Sequence, residues 1–493
     1  MTTIQKEKII QGEQIYLRPI TMEDISERYR SWFSDSDVNK YIEVRNISAA
    51  ELRSYVSKKI NDPLVVFMGI FDKTNNKHIG NVKLEPIDKK NGRTIFSIVI
   101  GEKSYWGRGI GTESTRLISD YALNEIGLYE VELGVVSEHS KATHAYEKAG
   151  FKIYGTKKNA VSHNGIFYDA TAMIKRRQLF NANASIVIVG FGSIGRRHYD
   201  NLKTLGYENI SLFDLDISKT KGANSLKDLN IKELKKFDIA FVCTPNSEHV
   251  EAALKCAQAG LHLFIEKPLS HSLKNVKRLA QMVREKKLCT MVACNMRFHP
   301  SLAFIKKYLE DGKLGKVYSI SHEFGHDLSM WRKGVDYRKT YSAKKREGGG
   351  IILDDIHEFD LLFWFSNFSQ VNKHEIVPKM SGALEIDVED QVSAVFDFKN
   401  GVLGRVHSDY LSRSYRRQCL IIGENGNLLW DWHSNEVILE NEVKRQAIFI
   451  PSKFEINDMY MDELHYFLSK IEQGKKTQND VAQAAELLKY LIR

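Results

Sequence analysis

Cysteine is scarce in this chain: Cys243, Cys256, Cys289, Cys294 and Cys419 are the only five among 493 residues, and all follow residue 240. They form no CxxC pair and no Cys/His spacing suited to zinc, so neither a disulfide framework nor a metal site is expected. They read as reduced, buried, small apolar side chains. Long apolar runs are also missing. The opening MTTIQKEKII has no signal-peptide core, and no stretch approaches the roughly 20 apolar residues of a membrane span. The expectation is a cytoplasmic protein without a membrane partner. The net charge of +9 does not gather into a basic stripe, because 71 Lys and Arg are scattered among 62 acidic residues. That scatter argues against nucleic acid, and anionic cofactors or substrates account for the bias.

What is present is ordinary globular material, 43% hydrophobic and 27% charged, in a chain long enough for two or three domains. The polar, aperiodic stretch KRRQLFNANA, Lys175 to Ala184, reads as a linker. It divides a front domain, 1–174, from a dinucleotide-binding domain, 185–304, and a third domain, 305–493. The fold class is α/β and multidomain.

The front part reads IFSIVIGEKSYWGRGIGTESTRLISDYALNEIG. The pattern predicts a strand over Ile95–Ile100, a loop over Tyr105–Gly111 and a helix from about Thr112 to Glu125, with Leu117, Ile118, Tyr121 and Ala122 on one face. Successive backbone N–H groups ahead of a helix N-terminus suit a pyrophosphate. YEVELGVVSEHSKATHAYEKAGF then supplies a strand, Val131–Val136, a helix with Ala142, Ala145 and Tyr146, and a turn into another strand.

Residues 12 to 174 resemble the GNAT acetyltransferase superfamily, in particular the branch that modifies ribosomal proteins and amino sugars. The resemblance implies a GNAT fold and acetyl-CoA as cofactor. The pyrophosphate would lie on Trp106, Gly107, Arg108, Gly109, Ile110, Gly111 and Thr112, and the pantetheine between splayed strands near Ile98 and Val135. Tyr146 matches the family tyrosine that protonates the departing thiolate. Trp106 departs from the Gln or Arg that commonly begins this loop. Glu85 is the candidate base for the attacking amine, beside the plainer reading of a solvated strand-end carboxylate.

The second glycine loop is IVIVGFGSIGRRH, Ile186 to His198. Four apolar residues before Gly190, Gly192 and Gly195, followed by a helix and a strand ending at Asp214, form a dinucleotide-binding pattern. Gly190, Gly192, Ser193, Ile194 and Gly195 would cradle the pyrophosphate. Asp214 would accept the ribose hydroxyls and favour NAD, while Arg196 and Arg197 leave NADP open. Further strands end at Thr244-Pro245-Asn246 and at Glu266-Lys267-Pro268, on the cofactor side of a doubly wound parallel sheet.

The EKP motif, MRFHP at Met296–Pro300 and GGGIILDDIHEFD at Gly348–Asp360 make residues 184 to the end similar to the Gfo/Idh/MocA oxidoreductases. That resemblance implies a Rossmann domain followed by an α+β substrate domain with a large open antiparallel sheet. Lys267 is implied to contact the reacting sugar hydroxyl, His357 to be the other acid/base group and Asp354 to orient the site. The acid stands three residues before His357, not four, because Leu353 holds the usual position. Arg297, Tyr337 and Tyr341 are read equally as substrate contacts or as packing.

Together the halves suggest a bifunctional enzyme of amino-sugar biosynthesis. One half would oxidise a ring hydroxyl of a nucleotide-linked sugar, and the other would acetylate the amine installed later. Two other readings stay open: the acetyl acceptor is a protein amine, or one half is a noncatalytic binding module. The substrate-domain sheet, with QVSAVFDF at Gln391–Phe398 alternating in polarity, predicts a homodimer or homotetramer.

Overall fold

The computed structural model describes residues 8–41, 46–88, 92–163, 166–177, 183–332, 334–452 and 455–492. The chain forms two units, Met1–Gln178 with Ile448–Lys453, and Leu179–Ala447 with Phe454–Arg493.

The first unit is built on strands β1 (Ile10–Gln11), β2 (Ile15–Pro19), β3 (Val66–Asp72), β4 (His78–Leu84), β5 (Arg93–Ile100), β6 (Glu130–Val136), β7 (Lys152–His163) and β8 (Ile166–Arg176). They lie in the order β1-β2-β3-β4-β5-β6-β8-β7. The one parallel pair among them, β5 with β6, holds only from Arg93–Glu130 to Ile95–Glu132. Beyond that point both strands continue unpaired to each other, to Ile100 and Val136, and a wedge opens between them. Leu17, Ile70, Val82, Ile118, Val131 and Met173 fill the core without exposure. Ser48 and Glu51 form a reciprocal cap that starts the helix Ala49–Asn61.

Helix α1 (Ile110–Asp120) begins two residues earlier than its periodicity predicts. Gly109, at φ +83°, takes the left-handed turn that lets Ile110 enter the helix. The last stretch expected in this helix, Tyr121–Glu125, widens into a π turn. Helix α2 (Ser140–Lys148) sets Ala142 and Tyr146 against the core.

Two findings differ from the linker expected at 175–184. Strand β8 runs through Arg176 because Lys175 is held by Ser119 Oγ and Asp120 Oδ1, at 3.0 and 2.8 Å, and Arg176 by Glu130. Residues 178–182 of that stretch lie outside the described residues. In addition, the sheet edge at β7 is covered by a strand from far along the chain. Phe449, Ile450 and Pro451 pair antiparallel with Lys157, Thr156 and Gly155. Phe449 is fully buried, and a Cβ on Gly155 would stand 2.4 Å from its ring.

The second unit contains the parallel sheet β10-β9-β11-β12-β13, from β9 (Ile186–Val189), β10 (Ile210–Phe213), β11 (Ile239–Val242), β12 (His262–Glu266) and β13 (Thr290–Ala293). Its interior strand β9, IVIV, is buried along its whole length, as a strand covered on both faces must be. Helix α3 (Ser193–Thr204) follows the glycine loop. A second sheet comprises β14 (Val317–Gly325), β15 (Val371–Lys379), β16 (Gln391–Phe398), β17 (Leu403–Asp409), β18 (Arg416–Gly423), β19 (Gly426–Asp431) and β20 (Val437–Glu440), in the order β20-β19-β18-β14-β17-β16-β15. It is antiparallel except for β14 beside β17, whose long helical connection permits a parallel neighbour. In β16 buried and exposed side chains alternate, so one face is covered and the other open. Helices α4 (Ile351–Asp354) and α5 (Ile356–Phe365) lie on the covered face, where α5 packs on β14 and β17. The end of the chain, read with the substrate domain, returns instead to the parallel sheet. There Thr477 Oγ1 and Asn479 Nδ2 donate to the carbonyls of Thr290 and Val292 on β13, which an edge strand leaves free.

Candidate active sites

In the first unit the wedge between β5 and β6 faces the loop that starts α1. Gly107 and Gly109 both have positive φ, +76° and +83°. A Cβ on Gly107 or Gly111 would meet nothing within 4 Å, so a ligand can approach the backbone here. The N–H groups of Ile110, Gly111 and Thr112 are in the first helical turn, where no intrahelical carbonyl is available to them. Buried Glu113 ties this turn to β2 by accepting from the backbone of Glu13 and Gln14. Trp106, the departure from the usual loop, donates its indole N–H to the Ile100 carbonyl at 2.9 Å and thereby fixes the loop to the end of β5. Arg108 lies over the Tyr105 ring, 5.6 Å from its centroid.

Tyr146 packs edge-on to Phe96, with ring centroids 6.1 Å apart, and burial pushes its phenol up to about 12. It therefore carries its proton throughout the neutral range. Glu85 is placed less favourably for a base. Lys59 and Lys83 both bind its carboxylate, the latter at 2.7 Å, and although burial opposes them the pairs hold the group below its ordinary value. A carboxylate that favours its charged form this strongly accepts a proton poorly.

In the second unit the three glycines of the dinucleotide loop have three separate reasons to be glycine. A Cβ on Gly190 would stand 2.5 Å from the Cys243 carbonyl oxygen, and one on Gly195 would stand 2.2 Å from the Gly190 carbonyl oxygen. A Cβ on Gly192 would meet nothing, leaving the approach to the first turn at Ser193 and Ile194 open. Tight turn, free approach and close helix packing are the three demands of a dinucleotide loop. Asp214 accepts from Phe191 N at 2.7 Å and from Asp216 N at 2.9 Å, with Lys219 at 3.3 Å from Oδ1. Arg196 stacks over Phe191 and Arg197 over Tyr460.

At the C-terminal ends of β11 and β12 the site closes up. Asn246, after Pro245, donates to the Gly348 carbonyl at 3.0 Å. Thr244 Oγ1 is buried without a partner among the described residues. Glu266 is committed inward, accepting from the Lys267 amide and lying 2.7 Å from His198 Nε2. Lys267 Nζ donates to the Asp354 carbonyl at 2.7 Å. The Asp354 carboxylate accepts from Tyr410 through Oδ2 at 2.6 Å, while its Oδ1 is buried and unpaired among the described residues. His357 Nδ1 is likewise buried and unpaired. Burial, with Lys267 and Arg417 nearby, holds the His357 imidazole well below its usual value and so neutral.

Asp360, one helical turn beyond His357, is not its partner. Asp360 is taken by Arg297 through two hydrogen bonds, 2.7 and 2.6 Å, both side chains being buried. Arg297 is therefore a packing residue. Tyr341 stands beside Asp354, whose charge pushes its phenol well up, whereas Tyr337 accepts from the Glu385 amide at 3.3 Å. Tyr410 and His271 also border this region. Tyr410 is 56 residues from the acid it bonds, and His271 packs on Gly348. No local spacing announces either.

Residues 14–152 match the acetyltransferase (GNAT) domain, 184–294 the oxidoreductase family's NAD-binding Rossmann fold, and 302–429 the GFO/IDH/MocA C-terminal domain. The chain belongs to the GFO/IDH/MocA oxidoreductases and carries a GNAT acetyltransferase domain in front. It is a bifunctional oxidoreductase and acetyltransferase whose cofactors are NAD and acetyl-CoA. Among relatives it is 31% identical to inositol 2-dehydrogenase of Rhizobium meliloti, over 52% of this chain and 78% of that protein. It is 30% identical to levoglucosan dehydrogenase of Pseudarthrobacter phenanthrenivorans, over 34% of this chain and 48% of that protein. Its identity to a probable N-acetyltransferase, YjcK of Bacillus subtilis, is 27%, over 33% of this chain and 93% of that protein. A solved levoglucosan dehydrogenase, in complex with NADH and L-sorbose, superposes with a TM-score of 0.55 at 20% identity, covering 62% of this chain and 94% of that one.

Proposed function

We propose that this enzyme serves amino-sugar biosynthesis, oxidising or reducing a ring position of a nucleotide-linked sugar at one site and N-acetylating a sugar amine at the other. The observation that carries the oxidoreductase half is the grouping beside the dinucleotide crevice of Lys267, Asp354 and the neutral imidazole of His357, whose Nδ1 has no hydrogen-bond partner among the described residues. Names of relatives support a polyhydroxylated ring, since one is an inositol 2-dehydrogenase and another a levoglucosan dehydrogenase.

Gly190, Gly192, Ser193, Ile194, Gly195 and Asp214 would hold NAD, which would supply the hydride acceptor. Lys267 contacts the reacting hydroxyl and helps move its proton as the C–H bond breaks, with His357 as the other acid/base group. Asp354, steadied by Tyr410, holds the Lys267 ammonium in place through its own carbonyl. In the acetyltransferase half, the Trp106–Thr112 loop would hold acetyl-CoA, which would supply the acyl group. Tyr146 gives its proton to the leaving thiolate once the amine has attacked. With Glu85 tied to two lysines, the amine loses its proton to another group or to solvent.

Exposed Tyr318, Val395, Leu403 and Ile422 lie on four strands of the second unit's sheet. This apolar surface supports assembly with further copies of the chain. Incubation with a panel of nucleotide-linked sugars and amino sugars, following NAD reduction and acetyl-CoA consumption separately, tests the reading. Acetylation of protein amines with every sugar inert would overturn it.

A further inference from the structure

Directly beneath His357 lies a set of charged side chains that the hydride chemistry does not use. Arg417 on β18 donates from Nη2 to Asp355 Oδ1 at 2.6 Å and places Nε 2.7 Å from Glu358 Oε1, an ion pair without hydrogen-bond alignment. Glu358 Oε2 is 3.1 Å from His322 Nδ1 on β14, and Ser408 on β17 donates to Asp355 Oδ2 at 2.8 Å. Glu358, His322 and Ser408 have no exposure at all, Asp355 has 2% and Arg417 8%. Three strands of the sheet thus grip the two carboxylates that flank Ile356-His357 at the start of α5.

Such a cluster is a poor way to gain stability, because the cost of burying four ionisable groups offsets their attraction and apolar residues of similar volume serve as well. Its geometry has a different use. Asp355 and Glu358 are three residues apart, one helical turn, so fixing both sets the rotation and height of that turn. His357 lies between them in sequence, and its own Nδ1 has no hydrogen-bond partner among the described residues to orient it.

We propose that Arg417 is a positioning residue of the oxidoreductase site, clamping Asp355 and Glu358 to the sheet so that the His357 imidazole is held beside Lys267. The inference rests on His357 being the acid/base group. The charged and titratable groups around His357 are Lys267 from the end of β12, Arg417 from β18, Asp354 and Asp355 from the preceding turn, and Glu358 and Asp360 from α5. The two cations among them disfavour its protonation.

The test is NMR of ¹³C-labelled histidine in the full-length protein with NAD bound, with His357→Asn assigning the resonance. In the parent protein His357 is expected to give one narrow signal that stays neutral to acid pH. Arg417→Met should raise its titration midpoint by about one pH unit or more and broaden or split the signal. Arg417→Lys, which keeps a cation, should largely restore the midpoint but not the single orientation. If Arg417→Met does not fold, Glu358→Gln carries the test, with a broadened His357 signal expected. An unchanged signal and midpoint in a folded variant would overturn the clamp. Because this readout needs no turnover, it fails separately from the acid/base reading, which falls if His357→Asn leaves NAD reduction intact.

Discussion

Lys267 Nζ donates to the backbone carbonyl of Asp354 at 2.7 Å, linking the end of β12 to the turn that precedes α5. A lysine held by a carbonyl has no carboxylate to neutralise its charge, and its remaining donors are available to a hydroxyl. Replacing it with Met keeps the stem and removes the ammonium. NAD binding should persist, turnover of an accepted sugar should fall about a hundredfold, and acetyl transfer should not change. Undiminished NAD reduction by Lys267→Met would remove this residue from the mechanism.

Tyr146 acts as an acid, so a raised pKa extends its active form toward alkali. With the phenol pushed up to about 12 by burial, acetyl transfer should show no loss from this group until well beyond pH 10, where an exposed tyrosine would already have ionised. Tyr146→Phe should bind acetyl-CoA normally and transfer acetyl about a hundredfold more slowly. Steady-state rates from pH 6 to 10.5 check both statements: a falling limb at pH 9 in the parent but not in the variant would contradict the raised pKa, and an undiminished rate in the variant would contradict the assignment.

The two glycine loops should serve separate cofactors. Gly109→Glu places a charge, and a residue ill-suited to φ +83°, where the CoA pyrophosphate approaches. Gly192→Glu fills the open approach of the dinucleotide loop. Calorimetry should find acetyl-CoA binding abolished and NAD binding kept in the first, and the reverse in the second. Loss of both cofactors in either folded variant would show that the sites are not independent.

A fragment of residues 1–178 lacks the strand that pairs with β7. Cutting at the polar stretch, which the sequence reads as a linker, should therefore not yield a sound acetyltransferase. The fragment exposes the β7 edge and the surface where Phe449 is buried, a combination that invites aggregation. In the full chain, Phe449→Ala should lower the thermal stability of acetyl-CoA binding by about 3–5 kcal/mol. A monodisperse 1–178 fragment with full acetyl-CoA affinity would show that the strand is dispensable.

His299 is fully buried, and burial pushes its imidazole to about 3. An unfolded histidine titrates near 6.5, so between these values the unfolded state holds a proton that the native state does not. Stability is therefore highest above pH 6.5 and declines as pH falls toward 3. His299→Asn keeps a side chain able to cap the helix Pro300–Glu310 and should lose about 2 kcal/mol less than the parent between pH 7 and 5. Urea titrations followed through nearby Trp430 and Trp432 would measure it, and equal losses in both proteins would assign the acid sensitivity elsewhere.

Local patterns determined much of this protein. The run IVIV before three glycines needed no partner to declare a buried parallel strand and its phosphate loop, because β-branched residues and the steric demands of glycine act over a few residues. The GRGIG loop, the helix carrying Tyr146 and the EKP and IHEFD segments were legible on the same ground. What only the tertiary structure decided involves residues far apart in sequence. Glu85 is neutralised by Lys59 and Lys83, Asp360 is claimed by Arg297 and withheld from His357, and Tyr410 supports Asp354. Arg417 reaches Asp355 and Glu358 across about 60 residues, and Phe449 completes a sheet begun in the first unit. Such pairings arise when the sheets assemble and carry no periodic trace in the chain, since a charged or aromatic residue reads the same along the sequence whether it meets solvent or a distant partner.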